Sequence, residues 1–455
     1  MLLRNIRFIC RHYFRSARSI FLYLLLGVAA MLLMPVLGVY LPRVVVQAVT
    51  EGWDFSRLVL YVSILAAGIA LLNVLSTFSG MKYSERVSHG RMEMMLTLEE
   101  VMMSCKYSLT EDPAWQTKIE EAGNAIFSDG RSSGIAGMVH TLRDFVINIL
   151  GIFTFSAILG VLHPMMLVLL VFTSLIPGLI VNKVNLRLFQ LKEEWLMYDK
   201  QIDYIYSHTT TAEAGKEIRL YHAAGLFLRQ MEEAIGKRLS WAKKAILRRL
   251  MSDGVSALVL VLQNGVSFAW IVAEIIQGKI SVADFTFYSG AVIQFIQFMN
   301  RFVQSYSTVK QCGRDVQMVQ EAFSYLPEKK HQESVSANGS APEIRFEHVT
   351  FSYPGSEKPV LWDVNFCARA GEKIALVGAN GAGKSTLVKL LCGLYQPTEG
   401  RILIDGVPIS EKEEGALYGL FSVVFQDMLI LPFSVLDNVA VAGRADVEKV
   451  RRCLE

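Results

Sequence analysis

Charge is scarce in this chain. Asp, Glu, Lys and Arg make up 19% of its 455 residues, where a soluble globular domain carries about 25%. The two signs nearly cancel, leaving +3, which argues against a strongly polyanionic partner such as nucleic acid. Cysteine builds nothing either: Cys10, Cys105, Cys312, Cys367, Cys392 and Cys453 are scattered, with no C-x-x-C pair and no metal-ligand spacing to histidine. That distribution gives free thiols in a reducing cytosol or in lipid and offers no zinc or iron site. What the chain has in their place is apolar residues, 52% of the total, above the roughly 45–50% of soluble proteins and tilted towards membrane.

The apolar residues collect in six stretches, at about 20–41, 58–78, 145–162, 165–181, 254–276 and 282–303. Each approaches the ~20 residues that span a ~30 Å hydrocarbon core at 1.5 Å per residue. The first is too long for the apolar part of a signal peptide, and five more follow, so it reads as a retained helix. Arg4, Arg7, Arg11, Arg15 and Arg18 precede it without an acidic residue, and Glu51 and Asp54 follow it. That asymmetry places the N-terminus in the cytoplasm, and six crossings return the chain there.

The connections are unequal. Those predicted outside are brief (48–57, 163–164, 277–281), whereas 80–144 and 182–250 are long, charged and rich in helix-forming Glu, Lys, Leu, Met and Gln. They read as spanning helices that run on into the cytoplasm, turn near 110–114 and 209–215, and come back; independent cytoplasmic bundles are the alternative. Polar residues within the spans are few. Gln294, Gln297, Arg301 and Gln304 recur three or four apart on one helix face. Such a face suits a wall of a substrate path. Equally, Arg301 falls about 25 Å along the helix from Asp284, near the inner boundary, where an arginine snorkels. Interhelical hydrogen bonding accounts for Asn148 and Asn264, and the outer interface for Glu274.

After residue 326 the composition changes. A polar, small-residue stretch at 327–342 reads as a linker, and alternating strand patterns at 344–349 and 360–366 follow. Between them stands Phe351-Ser352-Tyr353-Pro354-Gly355, an aromatic ahead of a glycine loop, able to stack on a purine. The loop itself is Gly378-Ala379-Asn380-Gly381-Ala382-Gly383-Lys384-Ser385-Thr386. Its glycines let successive N–H groups wrap around phosphate oxygens, Lys384 supplies charge for the β- and γ-phosphates, and Ser385 a hydroxyl for Mg²⁺. The apolar run 373–377 predicts a buried strand before it and 386–391 a helix after it, which puts the phosphates at the positive end of a helix dipole.

Six spans with long cytoplasmic loops, Phe351-Ser352-Tyr353-Pro354, the glycine loop and Ser422-Val423-Val424-Phe425-Gln426-Asp427 beyond it resemble an ATP-binding-cassette (ABC) exporter. Lys216-Glu217-Ile218-Arg219-Leu220-Tyr221 is similar to that family as well. The resemblance runs over essentially the whole chain. It implies a half-transporter: an α-helical polytopic membrane domain (1–326) joined through 327–342 to an α/β P-loop nucleotide-binding domain (343–455). It further implies ATP with Mg²⁺ as ligand, Tyr353 against adenine, 378–386 around the phosphates, and Ser385 and Gln426 on the metal. The two cytoplasmic turns become docking elements, and a second half-transporter, identical or different, becomes the partner. The protein is expected in the cell membrane with both termini cytoplasmic.

One departure is large. Beyond Val435-Leu436-Asp437-Asn438-Val439, the family's L-S-G-G-Q type segment, its acidic strand and its switch histidine do not occur before Glu455. Phosphoryl transfer to water needs a group that orients the water and a carboxylate behind the metal, and no catalytic residue of that kind is identifiable after Gln426. Two expectations follow, a piece of a longer product or an ATP-binding half that is catalytically silent. A membrane-anchored P-loop kinase would leave the six spans unexplained. The spans hold no buried acidic pair and no dense aromatic cage, so peptide, lipid and amphipathic drug all stay open as cargo.

Overall fold

The structure, a computed structural model, describes residues 2–128, 130, 133–190, 192–326, 341–356, 358–412, 417–425, 430–440 and 447–455. The linker residues 327–340 and Gln426 therefore lie outside the described residues. The chain forms two compact units: Met1–Met103 with Thr117–Leu326, and Ser104–Gln116 with Pro327–Glu455. Residues 104–116, which precede the linker in sequence, thus belong by their contacts with the second unit.

The first unit is helical. A short α1 (Leu2–Ser16) leads into α2 (Ile20–Thr50), α3 (Phe55–Ser104), α5 (Pro113–Phe127), α6 (Gly134–Leu162), α7 (Pro164–Gln190), α8 (Lys192–Thr209), α9 (Ala212–Leu220), α10 (Ala224–Ile276) and α11 (Val282–Phe323), while one-turn α4 (Tyr107–Thr110) and the first turn of α5 belong to the second unit. At 1.5 Å per residue, the 53 residues of α10 run about 80 Å, far beyond a bilayer core. α2, α3, α6, α7 and α10 each contain a stretch long and apolar enough to cross a membrane. The sixth expected span lies in α11, which is not among those five and carries Gln294, Gln297, Asn300, Arg301 and Gln304.

α11 is nonetheless the packing centre of this unit, lying chiefly on α6 and then on α2, α7 and α10. Its Ala291, Val292, Phe295, Ile296, Phe298 and Met299 are buried with Phe155 and Leu159 of α6 and Leu170 of α7. Phe155 and Phe298 stack at 5.8 Å. Ser281 opens α11 with a capping box to Asp284, satisfying two orphan donors of the first turn. Asp284 also pairs with Arg43 of α2 at 2.8 Å. Asn148 donates to Ser305 Oγ at 3.3 Å, and Asn264 to the Leu260 carbonyl of its own helix at 2.9 Å. Glu274 is buried against Lys279 at 2.9 Å.

In the second unit, β1 (Ile344–Phe351), β2 (Leu361–Ala368), β3 (Glu399–Ile404) and β4 (Val407–Pro408) form an antiparallel sheet in the order β2-β1-β3-β4. Phe346 pairs with Phe366 across β1 and β2, and their rings stack at 4.4 Å. α12 (Lys384–Leu391) packs on this sheet through Leu387 and Leu390, which join Phe346, Val349, Phe351, Ile402 and Ile404 in one core.

The strand expected over 373–377 is not formed. Residues 373–382 are assigned no strand and are exposed, Val377 to 94%. A buried parallel strand needs its N–H and C=O groups paired by strands beside it. Among the described residues the sheet consists of β2, β1, β3 and β4, and none of them flanks this segment.

Candidate functional site

The phosphate loop is built where α12 begins. Gly383 precedes the helix in the left-handed region at φ 86°, and Gly381 stands at φ 85°; both conformations come without steric cost only to glycine. The Ala382 N–H donates to the Ala379 carbonyl at 3.2 Å, closing a turn. Gly378, Ala379, Asn380, Gly381 and Ala382 are exposed, and Ser385 presents its hydroxyl to solvent from the first turn of α12. Lys384 donates from Nζ to the carbonyls of Gly378 at 2.8 Å and Ala379 at 2.7 Å. Its ammonium is thereby held beside the free N–H groups of the helix end, where a positive dipole already favours an anion. Thr386 is buried.

Tyr353 joins this group. Its hydroxyl meets Thr386 Oγ1 at 3.0 Å. The ring is half-buried rather than exposed, edge-on to Phe351 at 5.0 Å and to Tyr395 at 5.3 Å. The structure thus brings Tyr353 together with 378–386. Gln426 falls outside the described residues.

Sequence reasoning did not find a second cluster within the same unit. Glu111, just after α4, receives the Tyr395 hydroxyl on Oε2 and, on Oε1, Lys389 Nζ at 2.9 Å and the Tyr107 hydroxyl at 2.8 Å. The Tyr107 and Tyr395 rings meet edge-to-face at 5.7 Å. Burial works against the Glu111 carboxylate, but Tyr395, Lys389 and Tyr107 outweigh it and hold its pKa below the ordinary carboxylate value. Burial pushes the Tyr395 hydroxyl upward, and its bond to that carboxylate pushes it further. Glu111 is separated from Lys389 by 278 positions and from Tyr395 by 284, so no local pattern signals the group.

In the first unit, a cavity of about 950 Å³ opens between α7, α8, α10 and α11. Its α10 wall repeats every three or four residues: Arg238, Trp241, Ala245, Arg249, Asp253, Ser256, Leu260 and Gln263. That period, with small residues between, was the available sequence signal. Gln263 is held by donating to Ser174 Oγ at 2.7 Å. Arg238 lies over the Trp195 ring at 4.1 Å and pairs with Asp199 at 2.7 Å. Of the expected polar face on α11, Gln304 lines the cavity beside Asn300 and Ser307, whereas Gln297 and Arg301 are exposed and Gln294 is half-buried. The lining face is rotated from the Gln297–Arg301 row by one residue.

Residues 361–455 match the ABC transporter family. An ATP-dependent lipid A-core flippase of Methylobacillus flagellatus is 35% identical over 196 residues, 43% of this chain and 33% of that protein. The mycobactin import ATP-binding/permease protein IrtB of Mycolicibacterium smegmatis is 30% identical over 200 residues, 42% of this chain and 32% of that one. The matched stretches thus cover about a third of these relatives' own length. A bacterial Atm1-family ABC exporter solved with ATP bound superposes with a TM-score of 0.64 at 21% identity, covering 89% of this chain and 70% of that chain. That likeness shows the fold: a multi-pass helical membrane domain fused to an ABC nucleotide-binding segment.

Proposed function

We propose that this chain, an ABC exporter by its fold and by its nucleotide-binding segment, is the ATP-binding half of a transporter that moves an amphipathic substrate across a membrane. The observation carrying this reading is the phosphate loop at the N-terminus of α12, inside the residues that match the family. Lys384 holds the β- and γ-phosphates, the backbone N–H groups of 378–386 surround them, and Tyr353 stands against the base. The Ser385 hydroxyl, exposed on the first turn, and the Gln426 amide oxygen are oxygen donors of the kind Mg²⁺ takes. The metal would offset the charge of the phosphates.

The rest of the reading follows from coupling. A second half-transporter, identical or different, completes each nucleotide site, and the turns at 110–114 and 209–215 carry the change in that site towards the spans. Both termini lie in the cytoplasm. We assign phosphate holding to the loop 378–386 and hydrolysis to the assembled transporter. For cargo, the cavity pairs apolar Pro177, Val181 and Leu260 with basic Arg249, Lys310 and Arg314, which suits an amphiphile with an anionic head. The lipid A-core named for the Methylobacillus relative is of that class.

Calorimetric titration of the chain in nanodiscs with Mg·ATP tests the cradle. Lys384→Ala is expected to remove most of the affinity, since the ammonium held at Gly378 and Ala379 has no substitute in the loop. Equal affinity for wild type and Lys384→Ala overturns the reading.

A further inference from the structure

Three contacts run in series through the second unit. Glu111 accepts from the Tyr395 hydroxyl; the Tyr395 ring lies 5.3 Å from the Tyr353 ring; and Tyr353 bonds the Thr386 hydroxyl in the phosphate loop. Tyr395 is 4% exposed and also packs on Phe351 at 5.3 Å. It is therefore fixed at its ring by the sheet core and at its hydroxyl by one carboxylate. Glu111 comes from the opposite side of the chain's order, in a segment that continues α3 on one side and α5 on the other.

We propose that Tyr395 is a positioning residue through which Glu111 sets the placement of Tyr353, so that recognition of the nucleotide base depends on a carboxylate that touches no nucleotide. The inference rests on the reading above that Tyr353 stands against the base. Its physical content is geometric. An aromatic platform binds a base only where its ring plane is held in place, and among the described residues the Tyr353 side chain meets the rings of Phe351 and Tyr395 and the Thr386 hydroxyl. Phe351 belongs to β1 and Thr386 to α12, which are pinned by the core. Of these three, Tyr395 is the one whose side chain is bonded to Glu111, which Lys389 ties to α12 as well. Loss of the Glu111 acceptor leaves a buried hydroxyl unpaired, and a buried hydroxyl without a partner is costly enough to re-aim its ring. Linkage makes the effect reciprocal: a base on Tyr353 tightens the hold on Glu111, which is how site occupancy would register in the turn at 107–111.

The phosphates need not share this dependence, because Lys384 and the loop backbone are held by their own contacts. That separates a positioning role from a general loss of structure. Affinities of the nanodisc-embedded chain for Mg·ATP and for inorganic tripolyphosphate are to be measured in wild type, Glu111→Ala, Glu111→Gln, Tyr395→Phe, Tyr353→Ala and Lys384→Ala. Glu111→Ala and Tyr395→Phe are expected to weaken ATP by about fivefold or more while leaving tripolyphosphate near wild type. Glu111→Gln, which keeps an acceptor for the Tyr395 hydroxyl, should restore ATP binding. Tyr395→Phe keeps the Lys389–Glu111 pair, so its effect cannot pass through α12. Unchanged ATP affinity in both Glu111→Ala and Tyr395→Phe, or equal loss of ATP and tripolyphosphate, overturns the inference while Lys384→Ala still marks the cradle. Unchanged ATP affinity in Tyr353→Ala instead overturns the base contact on which it rests.

Discussion

Leu361, the first residue of β2, closes over Gly383 so tightly that a Cβ on the glycine would lie 2.7 Å from Leu361 Cδ2 and 3.3 Å from the Val360 carbonyl oxygen. The glycine that turns the phosphate loop into α12 is thus held from the sheet side as well as by its own φ of 86°.

Gly383→Ala should therefore damage the cradle twice. The left-handed conformation costs an alanine roughly 1–2 kcal/mol, and the new methyl drives either the loop or Leu361 outward. Tripolyphosphate and ATP affinity are expected to fall together, by about tenfold or more for each 1.4 kcal/mol passed on to binding. Adding Leu361→Val, which deletes the clashing carbon, should recover part of the loss and leave the conformational part. Full recovery would show that the backbone conformation at 383 is unimportant.

Glu111 gives a pH dependence with a defined sign. Its folded-state pKa lies below the ordinary carboxylate value, so its contribution is present above the unfolded pKa and lost as pH falls through the lower folded one. Glu111→Gln should lower Tm relative to wild type at neutral pH, and the gap should close as the buffer is taken below the ordinary carboxylate range. The effect is expected to be small, because the Glu111 side chain is 40% exposed beside Lys389 and solvent weakens such pairs. A gap that widens on acidification would mean that Glu111 is held in its neutral form, against the geometry.

Much of this was legible beforehand, and the failures have physical causes. The apolar runs lie in α2, α3, α6, α7, α10 and α11 because a bilayer demands length and apolarity, both local properties. The loop 378–386 was legible because its glycines and Lys384 act through backbone within nine positions. By contrast, the apolar pattern of 373–377 predicted a strand that is not formed, since a strand exists only through its neighbours. The Glu111–Lys389–Tyr395 group was invisible for a related reason: its members are far apart in sequence, and each alone reads as an ordinary surface or core residue. On α11 the polar positions were visible but not which face they took, and the packing of Phe295, Phe298 and Met299 turns Asn300 and Gln304, not Arg301, to the cavity.

The arginine run before α2 predicts the topology. With both termini cytoplasmic, Gly52→Cys and Gln277→Cys in a cysteine-free background should react with an impermeant maleimide added to sealed cells. Ser336→Cys should react only after the cells are opened. Gly52 and Gln277 are suitable because one is exposed after α2 and the other ends α10. Labelling of Ser336→Cys in sealed cells overturns the orientation.

The cavity in the first unit predicts a preference among lipids. Among the described residues, Arg238, Arg249, Lys310 and Arg314 line it with one carboxylate, that of Asp253, and Arg238 is paired with Asp199. Its apolar wall continues into the spanning part of α10, so an anionic headgroup would sit near Arg249 with its chains along Val181 and Leu260. Trp195 and Trp241 line the same space and can report on it. With Trp53, Trp115, Trp270 and Trp362 replaced by phenylalanine, the chain is placed in nanodiscs containing a brominated anionic phospholipid or a brominated phosphatidylcholine. At equal bromine content the anionic lipid is expected to quench the two remaining tryptophans more strongly, because its headgroup is drawn to the basic rim. Arg249→Ala with Lys310→Ala should erase the difference while leaving quenching by the neutral lipid unchanged. Equal quenching by the two lipids in the parent protein would remove the basis for an anionic cargo and leave the cavity as an apolar gap between helices.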